Sequence, residues 1–393
     1  MNITDFLKTY QIDRRQTDSV KWDGMKQAFG RADLLPLWIA DTDFKVPAAV
    51  VAALQKVIAQ GAYGYSMTPE NYFAAYANWQ QNHYGTEIHP EWLRYGTGVV
   101  QSLSTLINVL TQPQAAIMVL QPVYFPFMKV IEENDRQLVV SELKPVDHHY
   151  EMDFADIEQK IVANQVHLLI NCSPHNPVGR VWSEAELERL LEICREHEVL
   201  LISDEIHHDL IVGPQRFISA LSVKNGFYRD NLVMLDAASK TFNLAGLKSS
   251  HVVIPNPQMR ARYDAYFARL AAPAGTYLGQ VAALAAYQAG QDWLDGFLAV
   301  VRQNFAILKQ LEKVQPQVKV YDLQGTYLAW VDLRRVIDPA KLKQVMLTDA
   351  KLAVNLGEMF GQSGRGFVRL NLATPPQNIK AAVARLQKVI ENK

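Results

Sequence analysis

Short runs of apolar residues punctuate the middle of the chain at 115–120, 137–140, 166–170, 199–203, 231–235 and 251–254. Each is shorter than a typical helix and apolar almost throughout, which suits strands covered on both faces of a sheet. Between two of these runs the period changes. Leucines recur at helical spacing over 183–197, and Ser183 with Glu186 forms a capping box where that helix would start. Strands alternating with helices predict an α/β fold with a mostly parallel central sheet sandwiched by helices. The C-terminal part reads differently. A helical period runs over about 259–313, strands are predicted at 318–321, 327–331 and 366–373, and a final helix at 378–391. That order predicts a smaller α+β domain. The division expected is a large domain over 46–285 and a small one made of 1–45 with 286–393.

Composition narrows the class of partner. The 393 residues suggest about two to three domains on length alone, and 49% hydrophobic with 20% charged residues is ordinary for a globular chain. A net charge of −1 gives no reason to expect nucleic acid or an anionic membrane as a partner. No apolar run is long enough to span a bilayer, and residues 1–6 lack a basic region followed by an apolar core. Cys172 and Cys194 form neither a CxxC nor a metal-ligand pattern, so a reducing, cytoplasmic location is expected.

Five segments carry candidate chemistry. Lys240 follows the apolar run at 231–235. Burial there disfavours its ammonium form, and the free amine is then a nucleophile for a Schiff base. A surface lysine at a strand end is the ordinary alternative. Tyr95-Gly-Thr-Gly-Val-Val100 precedes an apolar helix, and small residues at a helix N-terminus suit a phosphate, although most such loops are plain turns. In Asn171-Cys-Ser-Pro-His-Asn-Pro177, Asn176 can point an amide at a ligand, or serve only the turn. Asp204, at the end of the run 199–203, is an acid set against a buried sheet and needs a cationic partner, unless it merely caps a helix. Arg369 lies between Val368 and Leu370, where a buried fork calls for a carboxylate or a structural ion pair. His207 and His208 are adjacent, and on a strand their side chains would point apart, so no metal site is expected.

In this order the motifs resemble the fold-type I pyridoxal-phosphate enzymes of the aspartate aminotransferase family, over nearly the whole chain. Within it the chain looks like the MalY/PatB group of C–S β-lyases, the cystathionine β-lyases. The segments that carry the closer likeness are Pro36-Leu-Trp-Ile-Ala-Asp-Thr-Asp-Phe-Lys-Val-Pro47, Gln121-Pro-Val-Tyr-Phe-Pro-Phe127, Asp204-Glu-Ile-His207, Ser239-Lys-Thr-Phe-Asn243 and Gly325-Thr-Tyr-Leu-Ala-Trp330.

The resemblance implies pyridoxal 5′-phosphate as cofactor, bound in the large domain. It makes Lys240 the lysine that carries the cofactor and moves the Cα proton, and pairs Asp204 with the ring nitrogen. It places Asn176 on the phenolic oxygen, Tyr124 on the ring face and His207 beside the ring. It sets Val99, Val100, Ser239 and Lys248 around the phosphate. Arg369 would bind the substrate carboxylate, with Ile39 and Ala40 closing over it and Tyr124 and Asn176 beside it. Tyr65 matches a phosphate-binding tyrosine donated by the neighbouring subunit, which implies a homodimer. There are departures. Many of these aminotransferases have a tyrosine where His207 stands, which weakens the aminotransferase reading. Ala237 stands where a phosphate-binding serine is common, and Lys248 where arginine is common. The expected reaction is β-elimination of an amino acid such as cystathionine to a thiol, pyruvate and ammonia. The rivals are an aminotransferase on the same scaffold and a non-catalytic regulator that keeps the fold.

Overall fold

The computed structural model describes residues 1–271 and 274–392. A seven-stranded sheet forms its centre: Leu93–Gly96 (β1), Ala116–Gln121 (β2), Gln137–Glu142 (β3), Val166–Cys172 (β4), Leu200–Asp204 (β5), Leu232–Asp236 (β6) and Ser250–Val253 (β7). Their spatial order is β1-β7-β6-β5-β4-β2-β3. Only β7 runs against its neighbours, pairing antiparallel with β1 and β6. The other pairs are parallel. Every residue of β2, β6 and β7 is buried, as continuous apolar strands covered on both faces must be.

Local chemistry explains where the elements begin and end. The Glu184–Glu196 helix starts at Ser183, and both halves of the capping box form. The helical period over 259–313 resolves into three helices, Pro257–Leu270, Tyr277–Ala289 and Gln291–Val314. Asn256 and Thr276 cap the first two through side-chain oxygens, and Gly290 separates the second from the third. Periodicity is blind to such breaks because the apolar face continues across them.

A second sheet of four short strands follows: Lys319–Val320 (β8), Leu328–Asp332 (β9), Asn355–Leu356 (β10) and Phe367–Asn371 (β11). Its order is β8-β9-β11-β10, with antiparallel pairing throughout. The N-terminal segment is woven into this part. Leu35–Pro36 pairs in parallel with Leu352–Ala353. Phe6 packs edge-on against Trp293 at 5.6 Å and against Phe44 at 5.2 Å between ring centres. Lys21, fully buried, meets Asp43 at 2.8 Å, and Thr374 donates to the same carboxylate at 2.7 Å.

The carboxyl ends of β1, β2, β4, β5 and β6 all open toward one region. A parallel α/β sheet exposes unpaired strand ends and helix starts there, where ligands bind.

Candidate active site

Two adjoining cavities share Ala40, Tyr124 and Lys240 as a common wall. The inner one, about 610 Å³, is lined by the strand ends of the large sheet. The outer one, about 520 Å³, reaches Arg369 and is otherwise mostly apolar.

The inner chamber has a phosphate-like end. Val99 opens the Val99–Leu110 helix, and Thr97, Gly98, Val99 and Val100 all line the cavity. The first N–H groups of such a helix have no partner within it and favour an anion. Gly98 sits at φ +155°, with open space where a Cβ would project, so a small residue keeps the backbone reachable. Gly96, just before it, has no room for a side chain, because a Cβ would lie 2.8 Å from Ser250 Oγ. Ser239, Lys248, Ser249 and Thr276 also line this chamber.

Opposite groups line its other walls. Asp204 ends β5, is buried, and accepts one backbone hydrogen bond, from Ile206 N at 3.1 Å. Burial pushes its carboxyl up to about 7, against the pull of that bond and of Lys240. His207 also lines the chamber, with Nδ1 buried and without a partner. Burial, together with the cations Lys240 and Arg369, holds it well below the ordinary histidine range, so the imidazole is neutral. His207 and His208 lie on a turn rather than on the strand anticipated for them. Their rings still diverge: His207 faces the chamber and His208 faces Asp209 at 3.4 Å. Asn176 follows β4 and lines the same chamber, as does Cys172.

Lys240 stands where the chambers meet. It lies on a single helical turn, Ala238–Thr241, directly after β6. Its side chain is half-buried, and Nζ donates to Ala40 O at 2.7 Å. Burial lowers its pKa to about 8; Asp41 and Asp204 oppose the shift and Arg369 adds to it. Tyr124, after β2, lines both chambers.

Arg369, in the middle of β11, is buried and makes three hydrogen bonds, all to neutral acceptors: Asn176 Oδ1 at 3.1 Å, Trp38 O at 2.9 Å and Asn355 Oδ1 at 2.7 Å. Its Nε is buried without a partner, and among the described residues no carboxylate forms a salt bridge with it. Burial lowers its pKa to about 10. A buried cation held by neutral groups is prepared for an anion from outside.

The loop over this junction is fixed by residues to which the sequence assigned no role, one of them, Tyr327, within a quoted motif. Tyr327 donates to Ala40 O at 3.0 Å, and Asn371 donates to Ile39 O at 2.5 Å and Asp41 O at 2.7 Å. Asn371 had a signal in the sequence, since it lies two residues after Arg369 and so on the same face of the strand. Asn355 had none. It reaches Arg369 through the β10–β11 pairing, and a two-residue strand carries no local pattern that would announce it. Of the residues singled out in the sequence, the structure brings Ile39, Ala40, Val99, Val100, Tyr124, Asn176, Asp204, His207, Ser239, Lys240, Lys248 and Arg369 to these two chambers. Tyr65 is not among them; it is fully exposed on a segment, 61–69, without regular secondary structure.

The residue profile described as aminotransferase class I and II matches residues 32–386. Cystathionine beta-lyase PatB of Bacillus subtilis is 35% identical over 380 aligned residues, covering 96% of this chain and 98% of PatB. Protein MalY of Escherichia coli is 33% identical, with 98% of each chain covered. The crystal structure of cystalysin from Treponema denticola contains a pyridoxal 5′-phosphate cofactor; it matches with a TM-score of 0.92 at 32% identity, covering 98% of each chain. The chain therefore belongs to the class I and II aminotransferase family, and within it to the PatB/MalY group.

Proposed function

We propose that the protein is a pyridoxal-phosphate-dependent C–S β-lyase. It cleaves L-cystathionine or a related cysteine S-conjugate, with water, to a thiol, pyruvate and ammonia. The observation that carries this reading is the position of Lys240 between a chamber ending in an unpaired buried acid and one ending in an unpaired buried arginine. The PatB relative, named as a cystathionine beta-lyase, supports the sulfur chemistry.

The inner chamber fits the cofactor. Asp204 has a proton affinity raised by burial and no cation bonded to it, so it would pair with the ring nitrogen. Tyr124 would face the ring, Asn176 the phenolic oxygen, and His207 the ring edge. The Val99–Leu110 helix start, with Ser239 and Lys248, would hold the phosphate. When bound, the cofactor supplies an electron sink for the pair left at Cα.

The chain's own residues then orient the substrate and move protons. Arg369 takes the α-carboxylate in its fork, with Trp38 O and Asn355 fixing the guanidinium plane. Ile39 and Ala40 wall the same end. Lys240 Nζ takes the Cα proton; burial lowers its pKa to about 8, which raises the share of free amine near neutral pH above that of an ordinary lysine. The thiolate departs from Cβ into the outer chamber. Its walls, among them Phe29, Phe125, Met346, Leu347 and Met359, bury the methylene stem of the S-substituent, while Lys343 and Glu358 on the same walls are placed to meet a charged end such as that of homocysteine.

We further propose a cytoplasmic homodimer in which Tyr65 completes the partner's phosphate site. The run of exposed Tyr63, Tyr65 and Met67 supports a covered surface there.

A substrate panel on the purified holoenzyme tests the reading. Cystathionine without any keto acid is expected to yield stoichiometric thiol and pyruvate, and Lys240→Ala neither. Amino transfer to a keto acid with no thiol released would establish the aminotransferase alternative instead.

A further inference from the structure

A buried polar cluster lies beside Lys240 and lines neither chamber. Its centre is Asp209, five residues beyond Asp204. Asp209 Oδ2 accepts from Thr241 Oγ1 at 2.6 Å, and Thr241 is the residue next to Lys240. Asp209 Oδ1 accepts from Trp79 Nε1 at 2.8 Å and from Tyr84 OH, both on the Tyr72–Tyr84 helix. His208 lies between two carboxylates, with Nε2 3.4 Å from Asp209 and Nδ1 3.9 Å from Asp236. Asp236 in turn accepts from Tyr76 OH at 2.9 Å and Gln80 Nε2 at 2.7 Å, on that same helix, and meets His251 Nδ1 at 2.6 Å.

Lys240 needs such an anchor. The helix that bears it has four residues, too few to hold its own direction. The Oγ1 of Thr241 ties that turn to a carboxylate that is itself saturated by donors from another element. We propose that Asp209 is a positioning residue for Lys240, gripping Thr241 so that the Ala238–Thr241 turn is bolted to the Tyr72–Tyr84 helix.

A buried carboxylate is costly unless fully paired, and an apolar contact would join the same elements at less cost. What the charge adds is stiff, directional hydrogen bonding. The surroundings keep that charge in place. Burial alone would lower the pKa of His208, but Asp209, Asp236 and Glu205 together raise it to about 9, so it faces Asp209 as a cation. Burial alone would raise Asp209, yet His208 and the bonds from Thr241 and Tyr84 hold it below the ordinary carboxylate range. The inference rests on Lys240 being the residue that carries the cofactor and moves the proton.

The test compares Thr241→Val, which keeps shape and removes the donor, with Thr241→Ser, which keeps the donor, and with Asp209→Asn. The readouts on holoenzyme are the pH midpoint of the absorbance band of the lysine-bound cofactor, kcat and KM measured separately, and the thermal midpoint. Thr241→Val is expected to move the absorbance midpoint by about half a pH unit or more. It should also lower kcat on the order of ten-fold at unchanged KM. Thr241→Ser should restore both, and Asp209→Asn should follow Thr241→Val; if Asp209→Asn does not fold, the threonine pair decides alone. A Thr241→Val enzyme that loses thermal stability but keeps its midpoint and kcat would overturn the proposal. Equal impairment of the valine and serine variants would do the same. A wild-type protein with cofactor bound but no lysine-dependent band would remove the Lys240 reading itself, and this inference with it.

Discussion

Among the described residues Asp204 and Arg369 are buried ionisable groups, an acid and a base, without an ionic partner, whereas Lys21, buried more completely, is paired with Asp43 at 2.8 Å. The contrast separates a charge paired within the fold from ionisable groups left without a counter-ion, which is what the proposed roles of Asp204 and Arg369 require, because an unpaired buried charge costs stability that binding can recover. Its pH dependence has a definite sign. Between the usual carboxylate range and about 7 the folded, cofactor-free chain holds a proton at Asp204 that the unfolded chain has lost. Stability therefore falls as pH rises through that window. Asp204→Asn removes the fall, so in urea unfolding of the cofactor-free proteins the variant should gain on wild type, from pH 5 to pH 8, on the order of 3 kcal/mol. An equal difference at both pH values would count against it. At this scale the sequence was informative. Asp204 terminates an apolar run, Arg369 interrupts one and Lys240 follows one within five residues, and an ionisable group in that setting is conspicuous without coordinates. Asn355 and Thr241 are ordinary residues made special only by what lies opposite them.

The elements show why the motifs cluster. Those bearing Val99, Tyr124, Asn176, Asp204 and Lys240 lie at or just past the carboxyl ends of strands of the large sheet, so residues far apart in sequence arrive at one edge of it, while Arg369 comes from the middle of an antiparallel strand in the second sheet. Strand positions could be read from apolar runs, and the helix over 184–196 from its capping box. The two-residue strand β10 and the break between the 257–270 and 277–289 helices carry too little local pattern to be read that way, whereas the equally short β8 falls within the strand expected at 318–321. The loop over Lys240 is the element on which function most depends. Asn371 holds two of its carbonyls, so Asn371→Ala leaves both without that donor and should cost about 1–3 kcal/mol of stability. Because Ile39 and Ala40 wall the chamber proposed for the substrate, KM should rise more than kcat falls in steady-state kinetics. An unchanged KM would mean the loop does not sense the substrate.

Across the whole molecule, the N-terminal segment closes the site from the side of the smaller sheet: Trp38 O contacts Arg369 and Ala40 O contacts Lys240. Two sheets and a returning N-terminus thus meet at one lysine. Tyr65 lies outside this arrangement, exposed and absent from both chambers, which is the geometry that a tyrosine lent to a second subunit requires. If it is lent, subunits should complement one another. Tyr65→Ala and Lys240→Ala are each expected to be nearly inactive. After unfolding and refolding together they should recover about a quarter of wild-type activity, since half the dimers are mixed and each mixed dimer has one intact site. No recovery in a mixture shown by sedimentation to be dimeric would refute the shared site.

The sequence by itself determined the fold class, because strand and helix periods are local, and it exposed the chemically exceptional residues, because a charge in an apolar run violates its own surroundings. Only the tertiary structure decided which of them meet. It also decided which neutral groups hold Arg369, that Thr241 beside Lys240 bonds Asp209, and that a mostly apolar chamber adjoins the inner one. Those facts come from pairings between distant segments, and no local pattern encodes a distance across the fold.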